Sequence, residues 1–466
     1  MSVVIIGSGF GGLVCAHLLA QAGERVTVLE RQVQPGGCLQ SYRRGGHSFD
    51  TGFHYVGGLA EGQRMHAIFS RLGLMQLPWQ RLDAEGFDRV TIAGDTFSFA
   101  EGYECFAQQL AERFPHQKTA LGKYVDMLRE TDETALGDPG VFERYGQNAY
   151  EWLQNTISDP LLLNVLSGAS LKMELRRESL PLFAFAHGNS SFIQSSWRLK
   201  GDGNMIVDTL VEGIRRNGGT LVCQAEVEEL IEREGRIVAA RCKNGDCYEA
   251  DTFISDAHPQ QTFALVKESQ VLRRIYRRRM GMLENTFGMF TASLVLKPGS
   301  MEYFNHNKFV YREPNVWDGT GLMVSARVPE EGSDLRQIDL LTPMRWSSVE
   351  QWKDSRVGRR GEDYRQMKQQ MAQQCIEEAE TVIPGLREMV SEIHTSTPLT
   401  YRDYTLTPEG AAYGARKDCR NMVVTMLSPR TPLSNLLLTG QSIMLPGLEG
   451  VAMTAMMTVR ELGIEN

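Results

Sequence analysis

The first apolar run of the chain is short. Val3, Val4, Ile5 and Ile6 stand without a polar interruption and end at Gly7, as expected of a strand buried on both faces. Leu13, Ala16 and Leu19 then recur at helical spacing, and Gly23 is placed to stop that helix. A second apolar strand, Arg25–Leu29, follows and ends on Glu30. Between the first strand and the helix, Gly7, Gly9 and Gly12 fall on the G-x-G-x-x-G spacing. Gly7 permits the tight turn, Gly9 admits a pyrophosphate close to the backbone, and Gly12 lets the helix approach the sheet. The free N–H groups and positive dipole end of that helix suit phosphates. Glu30 stands where a ribose hydroxyl needs an acceptor, and its charge would repel a 2′-phosphate. Strand, glycines, helix, strand and acid in register predict a βαβ dinucleotide-binding unit. By itself the fingerprint does not separate FAD from NAD.

The same pattern recurs further along. After Trp197–Gly203, where Asp202-Gly203 reads as a turn with no buried strand before it, Ile206, Leu210 and Ile214 mark one helix face. Gly218-Gly219 stops that helix. Strands are expected at 220–223 and 227–231. Glu234-Gly235 turns the chain into a hairpin partner at 237–241, and a further strand at 252–255 leads to Asp256-Ala257. Leu436–Gln441, then Gly447–Gly450 and a terminal helix, repeat the strand, glycine loop and helix start. These three segments, 1–59, 197–266 and 426–466, are expected to form one discontinuous FAD-binding domain. The intervening 60–196 and 267–425 are expected to combine into a substrate domain over the cofactor. The first of these reads as mostly helical, with amphipathic stretches at 103–114 and 118–132. The second mixes strands at 290–296, 321–326 and 337–342 with a helix at 363–382. The expected fold class is α/β: a Rossmann-type domain assembled from three chain segments, with a discontinuous α+β substrate domain.

Composition narrows the partners. The 466 residues suffice for two or three domains, and the net charge of −8 without a basic tail argues against nucleic acid. No apolar run reaches the ~18 residues of a membrane span. The fingerprint begins at the N-terminus, so no signal peptide is expected. The eight cysteines are scattered, with no C-x-x-C pair and no histidine at metal-ligand spacing. A reducing, cytoplasmic setting and no metal site are the expectations. Val271–Arg279 is basic and amphipathic: either a solvated surface helix or a peripheral contact with a membrane surface. Leu161–Leu163 and Leu180–Phe185 either line a lipid tunnel or pack in the core.

Two further glycine-rich stretches follow Glu30: Pro35–Ser41 with Gly36-Gly37, and Ser48–Gly58 with Gly52 and Gly57-Gly58. Placed directly after a dinucleotide unit, they read as a floor beneath an isoalloxazine ring, which an NAD enzyme would not need. With the residues already named, Gly36-Gly37-Cys38 and Phe49–Tyr55 resemble the FAD-dependent phytoene desaturase and retinol saturase group of the amine-oxidase superfamily. His54-Tyr55, where carotenoid desaturases typically have proline, is closer to the retinol saturases (all-trans-retinol 13,14-reductases). Ser396–Thr400, Pro408–Gly414 and Leu438–Gln441 resemble segments of the same group.

The resemblance implies FAD as cofactor and roles by position. Ser8, Gly9, Gly11 and Gly12 match the pyrophosphate loop, with Gly7 at its turn. Glu30 matches the ribose acceptor, with Arg31 beside the adenosine. Gly36, Gly37, Cys38 and Leu39 match the stretch passing ribitol and flavin. Val227 matches the residue at the adenine edge, and Gly440-Gln441 the loop at ribitol and pyrophosphate. Gly450 and Val451 match the helix start that faces the flavin pyrimidine, where a helix N-terminus stabilises the negative charge of a reduced flavin. The activity implied is oxidoreduction of a carbon–carbon bond in a long, apolar polyene, with the saturase direction favoured. His54, Tyr55 and Tyr413 are the candidate proton donors. Three alternatives stay open: carotenoid desaturation, flavin-dependent amine oxidation, and a lipid- or protein-binding module without flavin, like the Rab GDP-dissociation inhibitor. No second dinucleotide site, and hence no electron donor, is assigned.

Overall fold

The computed structural model describes residues 1–134, 139–317 and 320–464. Its central feature is a five-stranded parallel sheet built from distant parts of the chain. Strands β1 (Ser2–Ile6) and β2 (Arg25–Leu29) flank helix α1 (Phe10–Gln21) in sequence. Helix α2 (Asn204–Arg216) leads to β3 (Thr220–Val222), followed by β4 (Thr252–Ser255). Near the C-terminus, β5 (Leu436–Leu438) precedes helix α3 (Gly447–Arg460). The sheet order is β3-β2-β1-β4-β5. β1 pairs in register with β2 on one side (Val4 opposite Thr27) and with β4 on the other (Val4 opposite Phe253). The fold class read from the sequence is the one observed.

Burial follows the apolar pattern. Val3, Ile5, Leu13, Val28, Ile206, Leu210, Ala452 and Ala455 form one core between the sheet and α1, α2 and α3. Val4, Ile6, Leu29, Phe253, Leu436 and Leu438 face a second core on the opposite side. Strands of a parallel sheet covered on both faces are apolar at consecutive positions, which is why Val3–Ile6 show no alternation.

The second large sheet has seven strands, in the order 390–396, 288–296, 337–344, 322–326, 307–311, 88–92, 95–99. Asn307–Tyr311 pairs in parallel with Asp88–Ile92, so the two interrupting segments share one sheet. The first of them is mostly helical, as its sequence suggests, but also carries short strands. It contains strands Trp79–Arg81, Asp88–Ile92 and Asp95–Phe99 beside the expected helices Tyr103–Arg113 and Lys118–Glu133. The hairpin 88–99 turns on Ala93 and Gly94, both at positive φ (49° and 95°). This is the turn geometry usually supplied by Asn-Gly or Asp-Gly, and an alanine at its first position hides it. His47–Asp50 is a strand paired with Ser41–Arg44 through Gly45-Gly46. A buried strand, Ser196–Leu199, does precede Asp202-Gly203, and Gly203 caps α2.

Helix Leu182–Gln194 passes close to strand Val56–Gly57. A Cβ on Gly57 would lie 2.4 Å from the carbonyl carbon of Ser191 and 2.5 Å from the amide of Phe192, and backbone atoms cannot swing aside. Gly57→Ala is therefore expected to destabilise the protein by about 1–3 kcal/mol, as overpacking does. Gly122 lies within helix Lys118–Glu133, and a Cβ there would meet nothing within 4 Å. Gly122→Ala should instead stabilise by about 0.5–1 kcal/mol through helix propensity. Chemical denaturation of the two variants checks the pair.

Candidate functional site

A parallel sheet places the carboxyl ends of its strands, and the loops leaving them, at one edge. Here that edge opens into a cavity of about 480 Å³ running from the glycine loop after β1 into the space under the seven-stranded sheet. At its nucleotide end stand Gly7, Ser8, Gly9 and Gly11 from the first loop, and Glu30 and Arg31 from the end of β2. Gly36, Gly37, Cys38 and Leu39 continue the wall, with Val227, Gln441, Gly450 and Val451. Gly12 and Gly440 lie just behind it. Gly12 packs against the carbonyl of Gly7, and a Cβ on Gly11 would sit 3.0 Å from the Cα of Gly440. The N-termini of α1 and α3 both open onto the cavity, through Phe10 and Gly11 and through Gly447 to Val451.

Glu30 is buried, and both of its oxygens are engaged. Oε2 accepts from the Ser8 amide (3.0 Å) and hydroxyl (2.5 Å), and Oε1 accepts from the Gln32 amide (2.7 Å). The carboxylate thus ties the phosphate-type loop to the end of β2. Arg31 donates to the carbonyl of Asp403. Burial pushes the Cys38 thiol up to about 11, so it stays protonated on the wall.

The far end of the cavity is mostly apolar. Met173, Leu180, Met289, Phe309, Met323 and Leu341 line it, with the rings of Tyr401 and Tyr413. Leu180 and Ala184 reach the cavity wall, whereas Phe183, Phe185, Leu162 and Leu163 are core residues. All three candidate proton donors border the cavity. The Tyr55 hydroxyl donates to Asp88 Oδ2 (3.1 Å), and burial holds the phenol well above its ordinary range. The Tyr413 hydroxyl donates to the Leu171 carbonyl (2.9 Å). His54 Nδ1 lies 3.6 Å from Asp339 Oδ2, and its Nε2 is covered and without a partner. Burial holds the His54 imidazole down to about 4, so the ring is neutral near neutral pH.

Two groups beside Tyr55 were not singled out from the sequence. Asp88 Oδ1 accepts from Asn307 Nδ2 (2.8 Å), whose Oδ1 accepts from the buried Arg198 (2.6 Å). Lys172 Nζ sits 4.0 Å from the Phe192 ring centre and 5.8 Å from that of Tyr55. Burial lowers its ammonium to about 8, opposed by the Asp88 charge. The available signal was a lone lysine between Leu171 and Met173. Asp88 gave none, because its hydrogen-bond partners, Tyr55 and Asn307, come from other segments of the chain. A third cluster, Arg64, His187 and Glu449, meets at the start of α3, where Arg64 donates to Glu449 Oε1 (3.3 Å). All eight cysteines are free, and no metal-ligand cluster occurs among the described residues.

The comparisons agree with this architecture. The family described as NAD(P)-binding Rossmann-like domain matches residues 5–72. The all-trans-retinol 13,14-reductase of Homo sapiens is 25% identical over 98% of this chain and 84% of its own length. Prolycopene isomerase 1 of an Oncidium hybrid cultivar is 25% identical over 99% of this chain and 84% of its own. Among solved structures, a redesigned putrescine oxidase superposes with a TM-score of 0.67 at 16% identity, covering 99% of this chain and 98% of that one. The chain thus has a dinucleotide-binding fold, and its overall architecture matches that of the putrescine oxidase. The resemblance to retinol saturases and their carotenoid-related kin extends over nearly its whole length.

Glu30→Ala would leave three donors, on Ser8 and Gln32, without their acceptor. The expected cost is about 1–3 kcal/mol of stability, the range for losing a hydrogen-bonded charged partner. Glu30→Gln, which keeps one acceptor oxygen, should lose less in the same denaturation series.

Proposed function

We propose that this protein is an FAD-dependent oxidoreductase that saturates a carbon–carbon double bond of a long, apolar polyene of the retinoid or carotenoid kind. The observation that carries the reading is the cavity itself: one continuous space with a dinucleotide cradle at one end and an apolar chamber at the other. The near-full-length similarity to a retinol reductase supports the substrate class.

The residues fit the cofactor. Gly9, Gly11, Gly36 and Gly37 all border the cavity, and a Cβ on any of them would crowd Asp256, Val207 or Gly9 in the wall behind it. The two helix N-termini suit anionic groups, one near the loop and one at the far side. Glu30, Arg31 and Val227 would hold the adenosine end, Ser8 to Gly12 with Gly440-Gln441 the diphosphate, and Gly450-Val451 the pyrimidine edge. Bound flavin supplies hydride transfer. The protein orients the polyene along the apolar wall, excludes water and provides the proton.

For the proton we favour the Tyr55 side of the chamber. Tyr55 Oη holds a proton against Asp88, and Lys172 Nζ, close to neutral in its titration, stands beside the same ring. His54 and Tyr413 shape the neighbouring wall. Around the basic helix Arg274–Gly281, Ile275 is 75% and Met282 65% exposed, an apolar edge among arginines that suits contact with an anionic membrane surface.

Denaturing the purified protein should release FAD, and the anaerobically reduced protein should be reoxidised by a polyene from a retinoid and carotenoid panel. Tyr55→Phe should slow that reoxidation by about 10²-fold, as loss of a general acid does, with little change in polyene affinity. Release of NADP, or no reoxidation by any polyene, contradicts the reading. Co-sedimentation with anionic vesicles should fall when Arg274 and Arg278 are changed to Glu. Equal binding to neutral vesicles would argue against the surface contact.

A further inference from the structure

Asp256 directly follows β4, and its amide donates to the carbonyl of Ile6 at the end of β1. Its carboxyl group is set among glycines from two other segments. A Cβ on Gly9 would lie 2.4 Å from Oδ2, one on Gly11 2.6 Å from Oδ1, and one on Gly440 2.5 Å from Oδ1. These glycines therefore make room for Asp256 as well as for a ligand. The backbone amides of Gly9 and Gly12 favour the charged carboxylate, but less than burial disfavours it. Gly9 is the N-cap of α1 and has no side chain to cap with. A neighbouring strand thus places the Asp256 carboxyl where an N-cap Asp would place its own, beside the first residues of α1. It sits at the same positive helix end that a diphosphate would use.

The charged and titratable groups facing it do not relieve its charge. Glu30, at the end of β2, repels an anion at Asp256, and the thiols of Cys15 from α1 and Cys38 from the 37–39 turn, both raised by burial, stay protonated and bring no positive charge. Among the described residues it has no ion-pair partner. Lys417, on the cavity wall, is engaged by the carbonyls of Thr425, Ser442 and Ile443. A diphosphate would bring further negative charge to this low-dielectric corner.

We propose that Asp256 is a positioning residue of the cofactor site that caps α1 and holds a proton whenever a dinucleotide occupies the loop, so that binding takes up one proton. A neutral carboxyl still accepts through its carbonyl oxygen, and its O–H becomes a donor that a phosphate oxygen can use. The inference rests on the FAD reading above.

The sign follows from the ligand-free state, in which burial chiefly, with Glu30, raises Asp256 to about 7. Below that pH the proton is already present and affinity is level. Above it each binding event must recruit one, so the dissociation constant for FAD should rise up to about tenfold per pH unit. Calorimetric titration of FAD-stripped protein with FAD, in two buffers of different ionisation enthalpy, reads the proton count directly. The expected result near pH 8 is uptake approaching one proton per FAD. Asp256→Asn, which mimics the neutral carboxyl, should take up fewer protons, flatten the pH profile and bind more tightly than the parent at that pH. His258 is held near 4 and is neutral there, and Lys417, near 7, is unchanged in the variant, which isolates Asp256. No proton uptake by the unaltered protein, or an Asp256→Asn profile that parallels it, overturns the inference while leaving FAD binding intact. Failure of FAD to bind at any pH overturns it together with the cofactor reading.

Discussion

The parallel pairing of β1 with β2 and β4 is the constraint on which the rest of the molecule depends. β1 contributes only five residues, but through them Glu30, Asp256 and the first glycine loop reach one edge. β5 then adds the loop at Gly440 by pairing with β4. Segments more than two hundred residues apart become neighbours within a few ångströms, and the interrupting segments are held over that edge by a sheet of their own. Any displacement of β1 would dismantle the nucleotide end and the chamber together.

That geometry puts ionisable groups where water is scarce, and their chemistry follows from burial more than from pairing. Lys172 is lowered and Asp88 raised, and each moderates the other's shift. His54 is kept neutral and Asp339 beside it is raised to about 6. A chamber that is mostly apolar, with a few such groups on one wall, suits a substrate with no charge of its own and a reaction that moves one proton. A small charged amine would have to give up its hydration against Met173, Leu341 and Phe309.

Much of the nucleotide end was legible in the sequence, because its signals are local. Gly7, Gly9, Gly12 and Glu30 lie within one βαβ unit, where the glycines answer close backbone approaches and Glu30 ties the loop to the end of β2. The three-segment sheet was legible too, since β3, β4 and β5 are apolar runs next to helix stops or glycine loops. The chamber was not. The strand 88–92 was hidden by an Ala-Gly turn, and its buried Asp88 is explained only by Asn307 and Tyr55. Lys172 stands out only once Phe192 and Tyr55 surround it. Asp256 looked like a residue leaving a strand, until Gly9, Gly11 and Gly440 were seen to make room for its carboxyl. Contacts across two hundred residues leave no periodicity to read.

The proposed saturation of a polyene must leave its mark on the product. The decisive measurement is the mass of the polyene recovered after one anaerobic turnover with reduced protein. The expected result is a gain of two hydrogens, confined to one double bond. An unchanged mass with altered double-bond geometry would make the protein an isomerase, and a loss of two hydrogens on the oxidised protein would make it a desaturase. Either result would contradict saturation as its chemistry.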